Sequence, residues 1–333
     1  MKIKFLLRSS NFFAVYAKRH MSTKRMTNEA VRKMKNDLFS EEKLRQQSLI
    51  PRVQKIEVRY KGVPADCTLI MNKNISTPYN CAMHMHEMLC QRSVLAEVNG
   101  QLWDMHRPLT EECELRLLNF HTAPAVLNKV FWRSCSFLLG LIIERAFKED
   151  YFIDLHSWPR PNVKSGSYVY DADINIPNWT PTTEELRTFT TMFWKLASED
   201  NCFEMLDVSE SLALKMFQHN RFKTQQIPQL SKDGSVRLYR VNDHVDISYG
   251  PMIASTKFVG TTKAAAVHHL DRECGYRFQA VSIPKQLTLN SFAFSVLVER
   301  AKKLNETGLA SEIEIVEKDS VASETVEKDS AVA

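Results

Sequence analysis

The stretch "VLAEVNGQLWDMHRPLTEECELRLLNF", residues 94–120, decides how this chain folds. "VLAEV" (94–98) alternates as a strand does. Asn99-Gly100 is the strongest two-residue hairpin signal, because a type I′ turn needs φ > 0 at both central positions. "QLW" (101–103) is then the returning strand, and "ELRLLNF" (114–120) reads as a further one. Upstream, "KIEVRY" (55–60) alternates again and "ADCTLIM" (65–71) is a second strand candidate. Thr77-Pro78 supplies a helix N-cap and a first-turn proline. Ala82, Met85 and Leu89 follow at helical spacing. Two strands, a helix, a hairpin and a closing strand describe a ubiquitin-like β-grasp unit, and the expected class is α+β.

These residues resemble the TGS domain at the front of threonyl-tRNA synthetases. The likeness is carried by the Val98-Asn99-Gly100 turn, Leu102, Asp104, the Arg107-Pro108-Leu109 triplet and the closing strand. It continues downstream. "VFWRSCSFLLGLIIERAF" (130–147) is similar to the first helix of the synthetase editing domain, and "VKSGSYVYDADI" (163–174) to its glycine-aromatic strand. Residues 180–223 resemble its long helix and the segment after it. "DHVDISYGPMI" (243–253) resembles its second active-site segment and "YRFQAVSIP" (276–284) its closing strand. The resemblance covers roughly 55–285. It implies a TGS-like domain over 55–122 and an editing-like α+β domain over 123–286, with a helix over 287–305.

The resemblance also implies where chemistry would sit. The editing site of that family uses two histidines four apart on the first helix, and a cysteine and a histidine four apart in the second segment. The matching positions here are Arg133, Phe137, Ser248 and Met252. Phenylalanine and methionine cannot act as bases, and arginine stays protonated. Serine can hydrogen-bond, but no neighbour is supplied to activate it. The expectation is a scaffold without its catalyst: no enzyme, no catalytic residues, no cofactor, no metal and no small-molecule substrate. An internal ion pair is favoured over RNA contact for Arg133. After residue 285 there is "NSFAFSVLVERAKKLN" (290–305) and an acidic tail, so no aminoacylating core is expected.

The ends add to this. The first 28 residues carry seven Lys/Arg and no Asp or Glu, with apolar residues interleaved. That is the composition of a mitochondrial transit peptide, with a secretory signal and a disordered basic tail as rivals. Residues 306–333 repeat "VEKDS", carry net charge −6 and are expected to be disordered. Residues 1–62 carry net +11, so the whole-chain +5 leaves 63–305 balanced. The arm over 29–54 is expected to be helical and to meet an anionic partner through Arg32, Lys33, Lys35, Lys43, Arg45 and Arg52. Arg59, Lys61, Arg92 and Arg107 could line a second such surface. A leader, a TGS-like domain and an inactivated editing-like domain together resemble the synthetase-like family of the mitochondrial large ribosomal subunit. That family implies mitochondrial ribosomal RNA and other large-subunit proteins as partners, in the matrix. A non-catalytic protein that binds tRNA or the synthetase, and a deacylase acting in trans, are the rival functions.

The remaining motifs carry less. Seven scattered cysteines argue against a disulfide framework and fit a reducing compartment. "CAMHMHEMLC" (81–90) offers Cys81, His84, His86 and Cys90, but on one helix His84 and His86 diverge, so a shared metal is not expected. "DLHSW" (154–158) and "VHHL" (267–270) are read as ordinary histidines, since neighbours in a strand face opposite ways. No membrane span is expected, because Glu144 interrupts the apolar run after Arg133.

Overall fold

The computed structural model describes residues 25–50, 52–270 and 275–309; most of the expected leader, Cys274 and nearly all of the expected acidic tail lie outside these. Helix α1 (Asn28–Ser48) opens the chain, its N-terminus capped by the Thr27 hydroxyl accepting from the Ala30 amide. A β-grasp sheet follows. It is built from β1 (Lys55–Tyr60), β2 (Cys67–Asn72), β3 (Leu95–Val98), β4 (Gln101–Trp103) and β5 (Cys113–Leu118). The strand order is β2-β1-β5-β3-β4, with β1 and β5 parallel and the other pairs antiparallel. Alternation sets the faces: Ile56, Val58 and Tyr60 turn inward while Lys55, Glu57 and Arg59 turn out. Asn99 (φ 50°) and Gly100 (φ 79°) form the expected turn between β3 and β4.

The helix expected after Thr77-Pro78 is two helices, α2 (Pro78–Met85) and α3 (Glu87–Arg92). A capping box between Thr77 and Asn80 starts α2. His86 breaks it in an extended conformation (φ −168°, ψ 137°), and its Nδ1 accepts the Met88 amide 3.0 Å away to start α3. Cys81 and Cys90 face the core, while His84 and His86 are exposed. The four side chains therefore part to opposite sides, for a reason the one-helix reading did not contain. Among the described residues no cluster of three or more His, Cys, Asp or Glu could hold a metal.

The second unit is built around α4 (Pro124–Ala146). Behind it come β6 (Asp154–Ser157), β7 (Tyr168–Asp173) and α5 (Thr183–Ser198), then β8 (Glu204–Ser209), α6 (Glu210–Phe217) and α7 (Arg221–Leu230). The hairpins β9 (Ser235–Val241)–β10 (His244–Ile247) and β11 (Val259–His269)–β12 (Tyr276–Pro284) precede α8 (Ser291–Ala301). One antiparallel sheet runs β11-β12-β7-β6 and another β10-β9-β8. Every residue of β12 except Ile283 is buried, because α4 and α5 cover one face and α8 the other. Gly140 lets the β7 tyrosine approach α4: a Cβ there would stand 2.6 Å from Tyr170 Cε2.

By length and composition α4 could cross a membrane, which counting residues from Arg133 to Glu144 did not show. Its burial accounts for the apolarity, since 78% of its most apolar window lies inside the protein. One core runs from Ile56 in β1 through α4 to Ala280 in β12, so the two units share it. A smaller core holds Phe39 of α1 against Leu206, Met216, Phe217, Ile227, Leu238 and Val245. Burying such a phenylalanine contributes roughly 1.5–3 kcal/mol. Helix α1 is thus an integral layer of the second unit, not a projecting arm.

Candidate functional site

The four positions matched to the editing site sit where α4 meets the loop after β10. Phe137 is fully buried, with its ring centroid 4.9 Å from His244, 5.7 Å from Phe203 and 6.3 Å from Trp158. Met252 is fully buried too. Ser134 Oγ donates to Val130 O (2.9 Å), accepts from the Ile253 amide (3.0 Å) and lies 3.5 Å from Met252 Sδ. Arg133 turns to the same loop and donates to Pro251 O at 3.2 Å. Ser248 Oγ accepts from the Gly250 amide at 3.2 Å. Arg133 and Met252 are therefore brought together, Phe137 packs towards β10, and Ser248 is spent on its own turn. Beside Trp132 and Ser136 of α4, a cavity of about 10 Å³ is lined by Arg160, Asn162, Ser167 and Asn305. That is about the room of one water molecule.

Below this filled cleft lies a charge cluster that the sequence reading missed. Glu144, on the apolar face of α4, receives Lys35 Nζ of α1 at 2.6 Å and lies 2.6 Å from His244 Nδ1. Lys35 Nζ also donates to Val245 O at 3.2 Å. Burial works against the Glu144 charge, but Lys35 and His244 overcome it and hold its carboxyl well below the usual carboxylate range. A second buried pair joins Lys223 Nζ to Asp246 Oδ1 at 2.6 Å, with the Tyr170 hydroxyl donating to the other carboxylate oxygen. A third joins Arg277 to Asp171 bidentately at 2.8 and 2.7 Å. The available signal was Glu144 itself, since a carboxylate closing the uncharged run from Ser134 to Ile143 needs a partner inside if that run is buried.

This cluster corrects the reading of the arm. Lys35 is 2% exposed and cannot reach a phosphate, because Glu144 would then be left buried and unpaired. Arg32 Nε faces Asp243 at 3.4 Å, and its Nη1 donates to Glu144 O at 2.9 Å. Lys43 pairs with Glu204 at 3.0 Å, and Arg45 with Glu42 at 2.7 Å. Lys33 and Arg52 remain exposed. Of the second proposed surface, Lys61 pairs with Asp66, Arg59 stands on the outer sheet face, Arg92 is half-buried at the end of α3 and Arg107 lies on Trp103.

The β-grasp unit is joined to this site through Asp104. Its carboxylate accepts the Met252 amide at 2.8 Å and the Tyr239 hydroxyl at 2.9 Å. Burial raises the Asp104 pKa, and those two donors oppose the rise. The Ala254 amide donates to Val94 O at 2.9 Å alongside. Asp104 was read as a feature of the TGS likeness, and the structure gives it the work of holding the loop that carries Met252.

Likenesses to known proteins bear on this geometry. Residues 50–119 match the TGS domain model. The chain is 49% identical to the large ribosomal subunit protein mL39 of Drosophila melanogaster over 286 residues, 84% of this chain and 86% of that one. It is 30% identical to the probable cytoplasmic threonine–tRNA ligase 1 of Dictyostelium discoideum over 60% of this chain, and 29% identical to the human cytoplasmic threonine–tRNA ligase 2 over 56%. It spans only 27% and 22% of those two ligases.

Proposed function

The chain belongs to the family of the large ribosomal subunit protein mL39, and on that footing we propose that it is a structural constituent of the mitochondrial large ribosomal subunit. It resides in the matrix, associates with ribosomal RNA and neighbouring subunit proteins, and is not an enzyme. The observation that carries the reading is the 49% identity over 84% of the chain. The site agrees with it. An acyl-tRNA hydrolase needs a group that can take a proton or activate water. Phe137 and Met252 fill that place, and Arg133 and Ser248 are engaged with backbone. A basic leader would direct import; the boundary at residue 28 moves ahead of Arg25, because Arg25 pairs with Asp154, Thr27 caps α1 and Asn28 is buried in it. The rest of the domain division is kept in the proposal, with α1 added to the second unit.

Sedimentation of mitochondrial lysate tests the reading. The full chain is expected to travel with the large subunit through a sucrose gradient and to leave it when magnesium is chelated. Recovery only at the top of the gradient, or with free tRNA or the synthetase, sinks it in favour of a soluble regulatory role. The purified protein should hydrolyse seryl- and threonyl-tRNA no faster than background.

A further inference from the structure

The seam between the two units brings two guanidiniums and two carboxylates together, unequally paired. The Arg107 guanidinium lies flat on the Trp103 indole, 3.6 Å from the ring centroid, and Trp103 Nε1 donates to Arg107 O at 3.1 Å. Among the described residues no carboxylate comes within ion-pair distance of Arg107. Arg237 stands nearby, and its own carboxylate, Asp207, is taken up bidentately at 2.8 and 3.0 Å. The other acid at hand, Asp104, is committed to Met252 and Tyr239. Burial first, and the Arg237 charge second, lower the Arg107 pKa from its ordinary value, and the more distant Asp207 and Asp104 carboxylates offset only part of the drop. Lys232 Nζ stands 5.0 Å above the Tyr249 ring, which is 42% exposed, and Arg237 Nη1 reaches Tyr249 O at 3.5 Å.

A half-buried guanidinium that no carboxylate contacts directly keeps its fork open to a further anion. Its planar fork matches the oxygens of a phosphate, and an exposed aromatic ring with a lysine over it suits an unstacked base. We propose that Arg107, Arg237, Lys232 and Tyr249 form a contact for single-stranded RNA, with Arg107 and Lys232 on phosphates and Tyr249 under a base. This rests on the ribosomal reading above and moves the principal phosphate contact from α1, whose cations are largely neutralised by the protein's own carboxylates, to the seam.

The test uses the full chain and a short fluorescein-labelled single-stranded RNA, followed by anisotropy over a range of salt. The doubly substituted protein Arg107→Gln/Lys232→Gln should bind more weakly, and its salt slope should fall by about two units, near one per phosphate lost. Tyr249→Ala should weaken binding on the order of tenfold without changing the slope. Substituting the surface lysines Lys195 and Lys215 should leave both unchanged. Thermal melts identify any variant that fails to fold, and Lys232→Gln/Tyr249→Ala, which leaves the Trp103 stack intact, then decides alone. In isolated large subunits, ultraviolet crosslinking should join the peptide containing Tyr249 to RNA. An unaltered salt slope overturns the proposal, as does crosslinking of that peptide only to an acidic protein segment. Either result can occur while the wild-type chain still sediments with the large subunit, so the ribosomal reading stands or falls separately.

Discussion

Helices α4 and α1 are nearly equal in length, 23 and 21 residues, and both pack into the second unit by opposite chemistry. Helix α4 is buried on most of its circumference, from Leu127 to Glu144, and Glu144 is the one charged residue among those it buries. Helix α1 buries one stripe, Asn28, Val31, Lys35 and Phe39, spaced three, four and four apart, and half of it is polar. The two meet at one ion pair, where the charge of α4 finds the charge of α1. A helix can therefore enter an interior on the strength of its partner's misfit. Basic composition then reports on what lies inside the protein as well as on what lies outside.

The sharpest way to break this comparison is to remove one member of the pair. Lys35→Ala should destabilise the protein by about 3–5 kcal/mol, because Glu144 is left buried and uncompensated. Phe137→Ala, on α4, should cost a similar ~3–5 kcal/mol through a cavity. The combination Lys35→Met/Glu144→Leu should recover most of the first loss, since an apolar pair of similar volume is often neutral or better. Urea unfolding measures all three. If Lys35→Ala costs under about 1 kcal/mol, α1 is held by Phe39 alone and the two helices differ less than described.

Next in size is Gly140→Ala, whose added methyl meets Tyr170 and should cost about 1–3 kcal/mol in the same assay. The pH dependence of α1 docking comes third. His219 lines a small cavity with Arg25, Asn28, Val31 and Glu144. Burial and then the Lys35 charge lower its pKa to about 4 from 6.5. The folded state thus favours neutral His219. Its contribution is complete above the unfolded pKa of about 6.5 and is lost as pH falls through the folded value near 4. A contribution of about 1–2 kcal/mol, discounted for partial exposure, should vanish over that interval and be absent in His219→Gln. Stability that is flat between those pH values contradicts the assignment. The smallest effect is Thr27→Ala, which removes the α1 cap and should cost about 1 kcal/mol; a fall in α1 amide protection without global unfolding would show it.

Much of this was legible in the sequence for identifiable reasons. The β-grasp strands follow alternation and the Asn99-Gly100 turn, both local signals that the structure repeats almost residue for residue. Helix α4 follows from its continuous apolar run. The break at His86 was not legible, because an imidazole capping its own chain leaves the helical periodicity around it intact. The internal use of Lys35 was hidden for a different reason. Nothing within helical reach of Lys35 in the sequence is its partner, and the pairing depends on which way α1 lies across α4 and β10. For the candidate site, the identity of the four substituted positions was readable, but their filling by Phe137 and Met252 needed coordinates.

The separation between Lys35 and its partners has a consequence in time. Glu144 lies 109 residues further along the chain and Val245 lies 210 further. A protein synthesised outside the organelle and drawn through a membrane channel as an extended thread arrives in sequence order. Contacts of such large sequence separation form late, after the intervening loops have closed. On the import proposed above, helix α1 reaches the matrix ahead of β8, β9 and β10, the strands that complete its seat, and waits for them with Val31 and Phe39 uncovered. During that wait the second unit is open along one side, and its exposed apolar surface invites misassociation or capture by a chaperone. The last step of maturation is then the seating of the first helix, and a chain stalled in transit before residue 245 should be the form that proteases find.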